Sequence, residues 1–158
     1  MTTPVWESAL VAAFVAAAVS LGTLWWNTRQ TRLDRQRAVF AGAFAAVADY
    51  REFSFIVRRR DSTGADRSMI HRDLSKVQAA LHRYEAMIQV EAPSVAEAYS
   101  ELLAATRRIA GAEISKGWDL PPAQGDNDMH IRDIDMSALS PFEIAFLDAA
   151  GRHLSLRP

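Results

Sequence analysis

Three groupings in this chain have residue types and spacings that could do chemistry. His82 and Glu85 stand three apart in a helical stretch, a spacing that turns both side chains to one face, where they can share a metal ion. Joined by His71, the pair would serve a small metal-dependent hydrolase tethered to a membrane. Such a site needs ligands from facing helices, and neither Glu97 nor Glu101 has the partnered histidine, so a solvated polar face is the competing reading. His71, Arg72 and Asp73 spell the triplet of a kinase catalytic loop, but no glycine-rich loop and no metal-binding Asp-Phe-Gly accompany them. Asp126 and Asp128 have the spacing of a calcium loop, yet Ile131 stands where the turn needs Gly and Ser137 where a bidentate Glu belongs. That excludes an EF-hand. With no cysteine, thiol catalysis, disulfides and Cys-based zinc sites are absent. No catalytic, metal or cofactor-binding residue is assigned, and no cofactor is expected.

Two cationic groups point to binding instead. Arg29, Arg32, Arg35 and Arg37 fall within nine residues directly after an apolar run. A polybasic stretch beside a bilayer gains about 1 kcal/mol per charge from anionic lipid. Arg58, Arg59 and Arg60 are adjacent and fan out around a helix end. They either complement the carbonyl end of the helix dipole, for ~0.3–1 kcal/mol each, or bind phosphate or an acidic patch on a partner. On a straight helix Arg58 lies thirty-two residues beyond Trp26, about 48 Å away and out of reach of headgroups. Trp118 opens "WDLPP", an aromatic beside a stiff proline pair. It reads as a recognition segment for another protein or as a plug in a helical core. Arg58, Arg59, Arg60 and Trp118 are the candidate partner-binding residues.

The elements that hold these groups are helices. From Ala9 to Trp26 eighteen residues carry no charge, and extending back to Val5 adds only Glu7. A bilayer core of about 30 Å needs roughly 20 helical residues. Trp6 and Trp25, nineteen residues apart, would be separated by about 28 Å, one indole at each interface. Trp6, Trp25, Trp26, Arg29, Arg32, Arg35 and Arg37 are thus the expected membrane-interface residues. No positive side chain precedes the apolar run, unlike a cleaved signal peptide. The arginines that follow it put the short "MTTPVWES" outside and the carboxyl-terminal domain in the cytoplasm. Small residues recur every four positions at Ala12, Ala16 and Ser20 and again at Ala18 and Gly22, which suits either close helix approach in lipid or simply an alanine-rich anchor.

No proline interrupts residues 23 to 61, so the segment runs on as one helix, with Leu33, Phe40, Phe44, Val47, Tyr50 and Phe53 at helical spacing. A turn around Gly64 follows. Ile70, Leu74, Val77, Leu81, Tyr84 and Ile88 then form a heptad-like seam. Pro93 stops that helix, and Ser94 with Glu97 reads as a capping box for the next, which carries Val95, Tyr99, Leu102, Thr106 and Ile109. After Ala112 two Gly, two Pro and five Asp within residues 116–135 predict an acidic loop strapped on a basic surface. A last short helix starts at "SPFE", capped by Ser140 and Glu143, with Phe142, Phe146 and Leu147 facing the bundle.

The single amino-terminal span, "VADYREFSFIVRRR", "LSKVQAALHRYEAMIQVEAPSVAEAY" and "WDLPP" together resemble small single-span membrane proteins of actinobacteria and their phages. The similarity covers roughly residues 5 to 122 and implies an anchored helical architecture, with a phage- or prophage-related role. It implies no activity and no site residues. The expectation is an all-α protein: a transmembrane helix continuing into a small cytoplasmic antiparallel helical bundle or hairpin. Its parts are an outside tail and span (1–26), a basic juxtamembrane helix (27–60), a helical hairpin (66–112) and an acidic loop with a short helix (113–158). Its expected partners are the lipid bilayer and another protein or itself, as an adaptor. A net charge of −1 predicts no nucleic acid.

Overall fold

A computed structural model describes residues 5–125 and 131–155, with side chains from Phe14 onward. Among the described residues every regular element is helical: α1 (Val5–Arg58), α2 (Gly64–Glu91), α3 (Pro93–Asp119) and α4 (Ser140–Ser155), with two short 3-10 turns ahead of α4. The chain divides into two compact units, residues 1–36 and 37–158. Residues 37–58 therefore belong with the bundle, whereas the sequence groups them with a juxtamembrane helix from residue 27. Their apolar stripe is the cause: Val39, Phe40, Ala43, Ala46, Val47, Tyr50, Phe53 and Val57 repeat at three-four spacing and are all buried.

The second unit is an up-down-up-down four-helix bundle. His71 meets Trp118, and His82 meets Arg107, eleven residues nearer the turn on each helix, so α2 and α3 run antiparallel. Ser54 bonds the Ala110 carbonyl and Arg58 reaches Glu113, so α1 runs parallel to α3. Arg51 joins Glu143, while Phe40 touches Phe146 and His153, so α4 runs back along α1. The expected seams supply the core: Ile70, Leu81 and Ile88 of α2 and Val95, Tyr99, Leu102 and Thr106 of α3 are buried, with Leu74, Val77 and Tyr84 packed against them. Each fully buried Leu, Ile or Val is worth roughly 1.5–3 kcal/mol.

Two glycines set helix spacing. A Cβ on Gly42 would collide with the Tyr84 hydroxyl oxygen, so the phenol ring of α2 lies directly on the α1 backbone. A Cβ on Gly117 would meet Val57 Cγ1 at 3.0 Å, bringing α3 close to α1. The latter corrects the expected end of α3. Glycine there lets the helices approach, and α3 continues seven residues past Ala112 to Asp119, burying Glu113, Ile114 and Gly117.

Both predicted capping boxes are also corrected. The residue ahead of α3 is Ala92, Pro93 takes the first turn, and no side chain caps it; the Ser94 hydroxyl instead pairs with His153 Nδ1 at 2.7 Å. Ser140 is already helical, φ −52° and ψ −42°, because a 3-10 turn at Ser137–Leu139 leads into α4. Glu143 is drawn away by Arg51, 2.5 Å distant. The helix that does have a side-chain cap is α2. Thr63 accepts from the Asp66 amide, and Asp61 accepts from the Thr63 amide and hydroxyl.

Candidate interaction surfaces

In the first unit, large apolar side chains face outward over an arc of about 220° of α1, and the remaining side carries the exposed small residues Ala16, Ser20 and Thr23. Phe14, Val15, Val19, Leu21, Leu24, Trp25 and Trp26 are all more than half exposed, Phe14 reaching 78%. At 100° per residue these seven positions are not confined to one stripe. The only two hydroxyls among residues 14–26 turn back onto the helix: Ser20 Oγ donates to the Ala16 carbonyl and Thr23 Oγ1 to that of Val19, each at 2.8 Å. Arg29 holds its guanidinium 5.5 Å from the Trp25 ring centre. Arg32, Arg35 and Arg37 are exposed, and the Trp6 side chain lies outside the described residues. Among the described residues no helix is long and apolar enough to cross a membrane. The apolar run begins at Ala9, and its side chains up to Ala13 fall outside that description.

The three consecutive arginines do not form one surface. Arg58 is buried and donates from Nη2 to Glu113 at 3.0 Å, a carboxylate that also receives Lys116 at 2.6 Å. Arg59 is the exposed member, loosely paired with Glu52 at 3.4 Å. Arg60 is buried and gathers carbonyls from two helix ends. Its Nη1 donates to Val57 O at 2.8 Å and Gly117 O at 2.6 Å, and its Nη2 donates to Trp118 O at 3.2 Å and to Leu120 O. These are the orphan acceptors that terminate α1 and α3. Desolvation, reinforced by neighbouring Arg67, lowers the Arg60 pKa from its ordinary value. Two of the three candidate partner-binding arginines are thus structural, because two helices end side by side and leave carbonyls to satisfy.

Trp118 is enclosed in the same cluster. It stacks on His71 with centres 4.9 Å apart and planes 2° from parallel, and the guanidinium groups of Arg60 and Arg67 lie 5.0 and 5.3 Å from its ring centre. Such contacts favour a partly desolvated indole. Trp118 is half-buried and packs against the core.

His82 and Glu85 do meet, Nδ1 to Oε2 at 3.6 Å, but the third neighbour is Arg107, whose Nη2 lies 3.3 Å from His82 Nε2. A guanidinium there repels a cation. His71 is eleven residues away, roughly 16 Å along α2, and is engaged by Trp118. His71, Arg72 and Asp73 sit inside a helix and not in a loop. Among the described residues no three His, Asp or Glu side chains gather to hold a metal ion; Asp126 and Asp128 lie outside them.

Several features escape sequence reading. Nothing in its neighbours marks Arg60 as a double carbonyl clamp, and His153 pairs with Ser94 across fifty-nine residues. Tyr99 is buried with its hydroxyl unpartnered among the described residues; burial, aided by nearby Glu85, pushes its pKa far upward. An apolar groove between α1 and α4, of about 460 Å³, was also not visible in either helix alone. No known family, no curated protein and no solved structure matches the chain.

Proposed function

We propose that this protein is a membrane-anchored interaction module, held in a bilayer by the apolar start of α1 and carrying its four-helix bundle on the cytoplasmic side as an adaptor. The observation that carries this reading is the exposure of seven large apolar side chains over more than half the circumference of residues 14–26, with only the small, uncharged Ala16, Ser20 and Thr23 on the remaining side. A groove on a partner covers one stripe of a helix, whereas a bilayer covers all sides. Withdrawing these side chains from water is worth on the order of 10 kcal/mol. The back-bonded hydroxyls of Ser20 and Thr23 suit hydrocarbon, which offers no other partner for them. Trp25 and Trp26 followed by Arg29, Arg32, Arg35 and Arg37 suit an interface with anionic lipid on the cytoplasmic face.

The orientation has a direct test, because the chain has no cysteine. In intact cells an impermeant thiol reagent should modify Thr3→Cys, and should reach Ser62→Cys only after lysis. Modification of Ser62→Cys and not Thr3→Cys in intact cells would overturn the proposed topology.

A further inference from the structure

Among the described residues of the bundle only Met69, Val90, Ile144 and Leu147 are large, apolar and exposed. The last two lie on α4, 56% and 50% exposed, and Leu147 lines the groove that runs between α1 and α4. Along α4 the apolar positions continue as Ile144, Leu147, Gly151 and Leu154, spaced three, four and three. Leu154 packs against the core, while Ile144, Leu147 and Gly151, at the three-four spacing of a seam, are exposed. The core-facing residues Phe146, Ala149, Ala150 and His153 form a different stripe of the same helix. Ala41, Phe44 and Ala45 of α1 line the groove from the other side.

Gly151 supplies a second, independent observation. Glycine in a helix interior costs roughly 0.5–1 kcal/mol relative to alanine. Gly42, Gly111 and Gly117 each have a neighbour against the missing Cβ, whereas a Cβ on Gly151 would meet nothing within 4 Å. No contact among the described residues accounts for this glycine. Close approach of another helix would.

We infer that this face binds the same face of a second copy of the chain, making a two-fold dimer through α4 and the α1–α4 groove. The occupant follows from what the face contains. It carries both projections, Ile144 and Leu147, and hollows, Gly151 with Ala41 and Ala45, so it is complementary to itself, as a two-fold interface must be. Its charges match in the same way. Asp148 and Arg152 are exposed on the outer flank of the seam, one helical turn apart, and form no ion pair among the described residues. Across a two-fold axis each can meet the opposite member on the other copy. The inference rests on the interaction part of the proposed function and not on its membrane part.

The test is sedimentation equilibrium of the full-length chain in density-matched detergent. The wild-type chain should have the mass of a dimer. Leu147→Arg and Gly151→Leu, both at exposed positions, should each weaken dimerisation at least about 30-fold, as loss of a central contact does, with helicity unchanged. Asp148→Arg and Arg152→Asp should each weaken self-association, yet mixed one-to-one should form a heterodimer. A monomeric wild-type chain, or a dimer indifferent to Leu147→Arg, would overturn the inference. A chain that stays soluble without detergent and is dimeric would sink the anchor and leave the dimer standing.

Discussion

Replacing Arg60 should unfold this bundle at markedly lower temperature, although the residue sits among consecutive arginines that look interchangeable. Its guanidinium donates to four carbonyls at the ends of α1 and α3, the two bonds from Nη1 measuring 2.6 and 2.8 Å. A hydrogen bond from a charged donor contributes about 1.5–3 kcal/mol, and the contact with the Trp118 ring adds about 0.5–2 kcal/mol. The four bonds share two nitrogens and are not additive, so Arg60→Gln should cost about 3–5 kcal/mol, with solvent re-entering to satisfy some of the freed carbonyls. For a domain of this size, that lowers Tm by roughly 10–20 °C. Arg59→Gln, removing an exposed pair with Glu52, should cost less than about 1 kcal/mol. Circular dichroism melts and urea titrations of the two variants give the comparison. Arg60→Lys keeps the charge but not the fork, and should recover less than half of the loss. Arg60→Gln within about 1 kcal/mol of wild type, or full recovery by lysine, would refute the clamp and leave only a charge near two helix ends.

Other perturbations have opposite or contrasting signs. Tyr99→Phe should be neutral or stabilising by up to about 1 kcal/mol in urea titration, because it removes a buried hydroxyl with no partner among the described residues. Gly42→Ala should destabilise by about 1–3 kcal/mol despite alanine's better helix propensity, since the Tyr84 ring occupies the Cβ position. Adding Tyr84→Leu should recover much of that loss in a double-mutant cycle. The Thr63 hydroxyl and amide hold the Asp61 pKa below the ordinary carboxylate value. Its folded pKa is therefore below its unfolded one, so its contribution is present above about pH 4 and fades as pH falls further. Asp61→Asn should flatten that small acid dependence in melts taken from pH 6 to pH 2.

The helical class and the faces of α2 and α3 were legible because heptad spacing is a local property. Ile70, Leu81, Ile88, Val95, Tyr99 and Leu102 occupy the core that their spacing assigns them. What misled was tertiary. Gly117 looks like a breaker until Val57 is known to press against it. Ser94 satisfies every rule of a cap, yet its hydroxyl goes to His153 on α4. The arginines at 58 to 60 are indistinguishable in one dimension, and only the side-by-side endings of α1 and α3 turn two of them inward. The His82–Glu85 pair formed at its expected spacing, but Arg107 arrives from another helix and changes its chemistry.

The central claim, that the start of α1 is a bilayer anchor, is tested most directly by alkaline carbonate extraction of membranes from cells expressing the full chain. The wild-type protein should remain in the membrane pellet, and Val15→Arg, a charge placed midway between Trp6 and Trp25, should shift it substantially to the supernatant. A charge at the centre of a span costs about 2.5–3.5 kcal/mol on insertion scales. Release of the wild-type chain by carbonate, or equal retention of both proteins, would contradict the anchor.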